Sequence, residues 1–395
     1  MKIGINGFEA IISRIGYDQT TKLPIRVGSG EYVFRLLWSL NVIDRKNEYF
    51  IYLPESPTQD LPPESKRWHY RVVKPNKLWT LIGLQINLVF QNPGISLFLS
   101  PTHYAPLFLP CPLVISIMDV SYLLYTKSFR RIDLWQLKFW TRLSVNNAKR
   151  ILTISNASKN DILKLYGLPK SKVDVAYPGI KDIHISQEQT LSLNEIKLKA
   201  TGMKDFQKKY GIKDGYILFV GTIQPRKNIL RLIDAFSQLI NNVKYKDLTL
   251  IIIGKPGWMY EEIYAAPKKY KVENKIMFLS EITNEELPSW YKNAQCFVFP
   301  SLYEGFGLPV LEAMVNGCPV ITSNVSSLPE VGGEAAIYVN PESTADLLQK
   351  LNLVLSDKKL RENMIRKGYE QAKKFSWEKT ARETLKILEN VVNKN

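Results

Sequence analysis

Cysteine is scarce in this chain: Cys111, Cys296 and Cys318 are the only three among 395 residues. They lie far apart and show no metal-ligand spacing, which speaks against a disulfide framework and for a reducing cytoplasm. Histidine is as rare, with three copies, and no cluster of histidines and carboxylates resembles a metal site. Long hydrophobic runs are missing as well. The apolar stretch 78–90 is too short to cross a bilayer, and 105–125 is interrupted by Pro106, Pro110, Pro112 and Asp119. The opening MKIGING enters a strand-like pattern directly, without a basic segment followed by an apolar one, so no signal peptide is expected. No short-period repeat or low-complexity tract is present either, which removes solenoids from consideration.

What is present suits a globular protein. Hydrophobic residues make up 45% and charged residues 23%, enough to build real cores. The chain is well beyond the ~100–200 residues usual for one domain, so two domains are expected. Lys and Arg number 53 against 37 Asp and Glu. That surplus favours anionic partners, whether nucleotides, phospholipid headgroups or nucleic acid, without choosing among them.

The second half alternates strands and helices. Short apolar runs occur at 216–220, 248–253, 276–279, 296–299, 319–322 and 336–339, each of a length for a buried parallel strand. Between the first two, Ile229, Leu232, Ile233, Phe236, Leu239 and Ile240 repeat at helical spacing, with Asn228 placed to cap the helix. Such alternation predicts a doubly wound α/β domain whose ligands sit beyond the carboxyl ends of its strands. The first half repeats the theme, with strands expected at 2–5, 49–53, 95–99, 113–117, 151–154 and 173–176. Its helices are expected at 31–43, 77–90, 130–147 and 157–165. A polar stretch from 180 to about 204 reads as the connection between domains. A last helix spans 377–392.

Two stretches carry chemistry. In the first, Pro300 to Glu312, a strand ends, a glycine-containing loop follows, and Pro309 suits a helix's first turn. The amides of Phe306, Gly307 and Leu308 then sit at a helix N-terminus, where a diphosphate binds well. Glu304 precedes that helix and Glu312 lies about a turn inside it. A nucleotide sugar would use the two carboxylates as acceptors, one for the hydroxyls of the sugar and one for the ribose. The same pattern also describes a plain helix start with solvated acids. The second stretch, Gly221 to Asn228, follows the strand 216–220 and contains Arg226 and Lys227. Arg226 is suited to bidentate contact with phosphate oxygens and Lys227 to point-charge contact. A solvated basic turn is the plainer alternative. In the first half, Val27-Gly28-Ser29-Gly30-Glu31 precedes a helix, and its glycines permit close backbone approach or serve only the turn.

Together these stretches resemble glycosyltransferase family 4. The resemblance rests on Gly221-Thr222, Pro225-Arg226-Lys227-Asn228, Pro300-Ser301, Glu304-Gly305-Phe306-Gly307-Leu308-Pro309 and Glu312-Ala313-Met314. It continues through Gly317 to Val320, Ser326 to Gly332, Thr153 to Ser155 and Tyr177 to Ile180, so it covers nearly the whole chain. It implies the GT-B fold, two facing Rossmann-like doubly wound α/β domains with a cleft between them. The expected division is 1–190, acceptor side, and 191–376, nucleotide-sugar binding, with a helix at 377–395 packing back on the first domain.

The resemblance further implies transfer with retention of anomeric configuration. Arg226 and Lys227 would stabilise the departing diphosphate, where preorganised cations matter most. Glu304 would hold hydroxyls of the sugar and Glu312 the ribose, with Gly28, Gly30, Gly221, Phe306, Gly307 and Leu308 around the donor. The departing phosphate would itself help deprotonate the acceptor, so no protein nucleophile is assigned. Neither a metal nor a cofactor is expected. GDP-mannose is the first expectation for the donor and a UDP-hexose the second. The acceptor is expected to be a saccharide or a lipid-linked one, as in surface polysaccharide or glycolipid synthesis.

One departure stands out. In Ile117-Met118-Asp119-Val120 the family commonly carries His-Asp, and Met118 cannot supply the histidine's hydrogen bond. His103, in a loop after the preceding strand, is a candidate for sugar or acceptor contact alongside Asp119.

Two segments are basic and aromatic. Residues 65–79 hold five cations and no acid, and 127–150 hold seven cations and one acid, Asp133. Ile132, Trp135, Phe139 and Leu143 keep a helical spacing there. Such a face suits peripheral contact between a cytoplasmic protein and an anionic membrane, or else packs inward as core. Rival readings are a nucleotide-sugar epimerase of the same fold and a basic nucleic-acid-binding protein. The latter leaves the buried strands and the diphosphate arrangement unexplained, so no nucleic-acid partner is expected.

Overall fold

The computed structural model describes every residue except 14–15, 19–20, 76–77, 92, 127–129, 181–209, 213–214, 281, 284 and 394–395. The chain divides into two compact units, one of Met1–Gly179 with Phe375–Asn395, the other Ile180–Lys374. The domain boundary expected at 190 and the polar connection up to 204 lie outside the described residues.

In the first unit, the strands are β1 (Lys2–Asn6), β2 (Glu48–Leu53), β3 (Trp68–Val72), β4 (Leu97–Ser100), β5 (Leu113–Ser116), β6 (Arg150–Thr153) and β7 (Val173–Val175). They form one parallel sheet in the order β3-β2-β1-β4-β5-β6-β7. Strands covered on both faces must be apolar on both, and β4 and β5 are buried at every position. Helices α1 (Phe8–Ile11), α2 (Ser29–Ile43), α3 (Gly83–Phe90), α4 (Ser121–Leu124), α5 (Arg131–Asn147) and α6 (Asn156–Tyr166) connect them. One core joins Phe98, Ile115 and Ile151 of the sheet to Leu84 and Leu88 of α3, Val145 of α5 and Ile162 of α6. The helix α6 shows how local sequence sets its ends. Ser155 Oγ accepts from the Ser158 amide at 3.0 Å, and Gly167 closes the helix at φ 66°, the conformation glycine takes without a Cβ clash.

The basic stretch 65–79 is corrected by β3. Its alternating aromatics and cations form an edge strand, with Trp68 1% exposed and Trp79 2%. Both tryptophans are core residues, whereas Lys66, Arg67, Arg71, Val72 and Lys74 are exposed. Along Trp68–Val72 burial runs from buried through half-buried to exposed, and that gradient is what the mixed pattern records.

The C-terminal helix Trp377–Asn393 belongs to the first unit. Trp377 meets Tyr32 of α2 edge-on at 5.8 Å, and Thr380 Oγ1 donates to the Tyr177 carbonyl at 2.5 Å. Gly179 lies so close beneath it that a Cβ would stand 2.0 Å from the Trp377 nitrogen.

In the second unit, β8 (Tyr216–Val220), β9 (Thr249–Ile253), β10 (Ile276–Leu279), β11 (Cys296–Phe299), β12 (Val320–Ser323) and β13 (Ala336–Val339) form a parallel sheet. Its order is β10-β9-β8-β11-β12-β13. The strand order reverses between β8 and β11, which opens a crevice at their carboxyl ends. Helix Ile229–Leu239 buries Ile229, Leu232, Ile233, Phe236 and Leu239 against this sheet. Among the described residues no helix is long and apolar enough to cross a membrane.

Candidate functional site

The loops leaving β8 and β11 meet at the switch point of the second sheet. After Val220 the chain turns at Gly221, with φ 154°, and Gly254 at the end of β9 lies against it. A Cβ on Gly254 would fall 1.9 Å from the Gly221 carbonyl oxygen, so this neighbour of the loop must be glycine. A 3-10 turn, Pro225–Lys227, follows and ends at Asn228 in the left-handed region, φ 60°.

Asn228 stands at the start of the helix, as expected, but does not cap it with its side chain. Its Oδ1 accepts from Arg231 at 3.0 Å. Its Nδ2 donates to the carbonyls of Pro300 at 3.0 Å and Pro341 at 2.7 Å. The amide therefore ties the β8 loop to the β11 loop, and its capping oxygen is already taken.

Further bonds fix the second loop. The Leu302 amide donates to the Arg226 carbonyl at 2.9 Å, and Arg226 Nη1 donates to the Tyr303 carbonyl. Ser326 Oγ accepts from the Glu304 amide at 2.9 Å. Ser327 Oγ lies 2.9 Å from the Glu304 carbonyl and 2.7 Å from that of Phe306. Gly307, at φ 110°, then starts helix Leu308–Val315, with Pro309 in its first turn. First-turn amides have no acceptor within their own helix, so Gly307 and Leu308 present N–H groups at its positive end.

The charged side chains converge here. Lys227 Nζ lies 2.6 Å from Glu304 Oε1, and Arg226 Nη1 lies 3.4 Å from Glu304 Oε2. Lys227 is 8% exposed and Glu304 7%; Lys227 also sits over the Phe299 ring at 4.8 Å. Burial by itself raises the Glu304 pKa. Lys227 and then Arg226, with the hydrogen bond from Lys227, outweigh burial and bring it below the usual glutamate value. Glu304 is thus an ionised group inside the protein, oriented by two cations. Glu312 is half-buried in the helix, and its Oε2 accepts from the Tyr291 hydroxyl at 2.9 Å. Tyr291 is buried, and that burial, followed by the Glu312 carboxylate, raises its pKa well above 10. Its proton stays on the donor side.

The second unit therefore brings together Gly221, Arg226, Lys227, Glu304, Phe306, Gly307, Leu308 and Glu312. Sequence reasoning missed Tyr291 and Gly254, and assigned no role to the Ser326–Ser327 hydroxyls.

The remaining expected residues belong to the first unit. Gly28 stands before α2 at φ 55°. Gly30 is pressed to the chain, since a Cβ there would lie 3.0 Å from the Glu9 carbonyl oxygen. Ser29 Oγ donates to Glu9 Oε2 at 3.1 Å. His103 packs edge-on to Tyr122 at 5.7 Å. Asp119 Oδ1 accepts from the Ser121 amide at 2.8 Å, which starts α4.

Comparison with known proteins agrees with this architecture. The family described as "Glycosyl transferases group 1" matches residues 203–371, and "Glycosyltransferase Family 4" matches 43–182. O-antigen chain mannosyltransferase B of Escherichia coli is 34% identical over 243 residues, 61% of this chain and 61% of that protein. O-antigen chain mannosyltransferase RfbU of Salmonella typhimurium is 30% identical over 230 residues, 58% of this chain and 56% of that one. These alignments span less than two thirds of either relative. Among solved structures, sucrose-phosphate synthase from Thermosynechococcus elongatus superposes with a TM-score of 0.71 at 17% identity, covering 100% of both chains.

Proposed function

The chain belongs to the family 4, group 1 glycosyltransferases and has their GT-B fold, and on that premise we propose that it transfers a hexose from a nucleotide sugar with retention of configuration. The observation that carries this reading is the convergence of Lys227 and Arg226 on Glu304 beside the start of helix Leu308–Val315. A diphosphate between the two cations and the amides of Gly307 and Leu308 would be neutralised from both sides. Glu304 would accept from hydroxyls of the sugar, and Glu312 from those of the ribose. The bond from the anomeric carbon to the diphosphate breaks while the acceptor oxygen bonds to the same face of that carbon. The acceptor's proton passes to an oxygen of the departing diphosphate, so no protein nucleophile is required. Charge grows on the leaving group, where fixed cations act with least reorganisation.

Mannose from GDP-mannose is the donor we favour, since both relatives named above are mannosyltransferases; a UDP-hexose is the second choice. The acceptor on this reading is a saccharide or a lipid-linked one, met by a cytoplasmic protein in peripheral contact with an anionic membrane. Gly28, Gly30, His103 and Asp119 are assigned to substrate contacts on the first unit. A panel of nucleotide sugars tests the site. At a hundredfold excess over Kd the true donor should stabilise the protein by about 2.7 kcal/mol, read as a higher Tm. Arg226→Ala should lower turnover roughly a hundredfold or more. Near-normal turnover in that variant removes the site assignment, and release of a free altered sugar without any glycoside would make the protein an epimerase instead.

A further inference from the structure

A helix lying on a sheet is expected to turn one apolar stripe inward and a polar face to water. Two helices of the first unit break this rule. In α5, Leu134 and Leu137 pack against the core and Val145 is within it. At about 100° per residue, Ile132, Trp135 and Phe139 point roughly the opposite way. They are indeed exposed, Ile132 at 73% and Trp135 at 61%. Trp135 and Phe139 stack on each other at 5.3 Å, 4° from parallel, with their outer faces in water. In α3, Leu84 and Leu88 face the core while Ile86, Val89 and Phe90 are exposed.

The loop between β4 and β5 joins the two helices into one layer. Gln85 of α3 makes two hydrogen bonds with the Phe108 backbone, and Asn147 of α5 donates to the Leu107 carbonyl at 3.0 Å. Phe108 itself is 74% exposed between them. Large apolar side chains left in water on elements tied together in this way mark a contact site.

Charge identifies the partner. Between residues 65 and 150 there are twelve Lys or Arg and only two acids, Asp119 and Asp133. Arg130, Arg131 and Lys138 are exposed beside the aromatic stripe. Among the described residues no carboxylate pairs with any of the three. A second copy of the chain meeting the same face would set these like charges against one another. An anionic bilayer answers both features, since tryptophan settles at the headgroup level and long cationic side chains reach the phosphates around it.

We propose that the outer layer formed by α3, the Phe108 loop and α5 docks on an anionic phospholipid membrane, with Trp135 and Phe139 inserted and Arg130, Arg131 and Lys138 on the headgroups. This rests on the membrane contact in the proposed function and says which surface makes it. The tryptophans of segment 65–79 are in the core and take no part in that surface. Lys127 and Phe129 lie outside the described residues.

Co-sedimentation of the full chain with phosphatidylglycerol–phosphatidylcholine vesicles and with pure phosphatidylcholine vesicles tests the assignment. Wild-type protein should pellet with the anionic vesicles, less so as salt rises, and stay in solution with the neutral ones. Trp135→Ser combined with Phe139→Ser should weaken that partition by about tenfold or more, given the apolar area withdrawn. Its Tm, and its turnover of GDP-mannose or UDP-glucose in vesicle-free solution, should match wild type. Arg130→Gln, Arg131→Gln and Lys138→Gln together should flatten the salt dependence. Absence of wild-type binding at low ionic strength overturns membrane contact altogether. Undiminished binding by the Trp135/Phe139 variant overturns only this face. Self-association that this variant abolishes would make the occupant a second copy of the chain.

Discussion

Glu304 is held by the same two cations that the proposed reaction needs for the diphosphate. Removing one member of a buried pair leaves the other charged and unsolvated, typically at a cost of about 3–5 kcal/mol. Glu304→Ala therefore confounds folding with catalysis, whereas Glu304→Gln keeps the shape and hydrogen-bonding capacity. A carboxylate whose pKa is depressed on folding contributes stability above the unfolded-state pKa, and that contribution is lost as pH falls through the lower folded value. Starting from the glutamate value of 4.5, the loss belongs to the acid limb below it. Urea unfolding between pH 7 and pH 3 should show wild-type stability falling on that limb and Glu304→Gln falling less. Parallel curves for the two proteins would mean that the pairing with Lys227 and Arg226 does not bear on folding.

At the scale of the element, helix Leu287–Asn293 reaches helix Leu308–Val315 through the Tyr291 hydroxyl, which donates to Glu312. Tyr291→Phe keeps the packed ring and removes the hydroxyl. A hydrogen bond to a charged acceptor contributes about 1.5–3 kcal/mol. If that bond aims Glu312 at the ribose, KM for the nucleotide sugar should rise several-fold with kcat nearly unchanged, since the contact serves ground state and transition state alike. A fall in kcat at constant KM would move Glu312 to the chemical step.

How much of this was legible in the sequence varies by element. Strands β8, β10, β11 and β13 were readable at their observed bounds because parallel strands covered on both faces are continuous apolar runs. The amphipathic helix Ile229–Leu239 announced itself by its period. β3 did not, because it is buried only at Trp68 and reaches water at Arg71 and Val72, so Trp68 and Tyr70 mix with His69 and Arg71 and the run resembles a surface segment. The pattern of α5 was visible, but a helical spacing of Ile132, Trp135 and Phe139 does not say which way the stripe faces; only Leu134, Leu137 and Val145 on the core side decide that. At the site, Glu304, Glu312, Arg226 and Lys227 stood out as motifs. The Ser326 and Ser327 bonds to the Glu304 loop, and the approach of Gly254 to Gly221, are contacts between distant segments and leave no local periodicity.

On the scale of the whole molecule, the chain leaves the first unit after Gly179 and re-enters it at Phe375. The first unit is therefore incomplete until the segment from Phe375 onward has been made. Trp377, Ala381, Leu388 and Val391 are buried, and α2, which they help to cover, carries Gly28 and Gly30 at its start. Truncating a buried tryptophan typically costs about 3–5 kcal/mol, so Trp377→Ala should destabilise the first unit by roughly that amount. The second unit has its own core and should be spared directly. Calorimetry can separate the two, because a nucleotide sugar held by Arg226, Lys227 and the Leu308–Val315 helix raises the transition of the unit that binds it. The expected trace for Trp377→Ala has the other transition lowered by several degrees, with the ligand-responsive one nearly in place. Equal displacement of both would show that the two units unfold as one, and that the returning helix stabilises the entire protein.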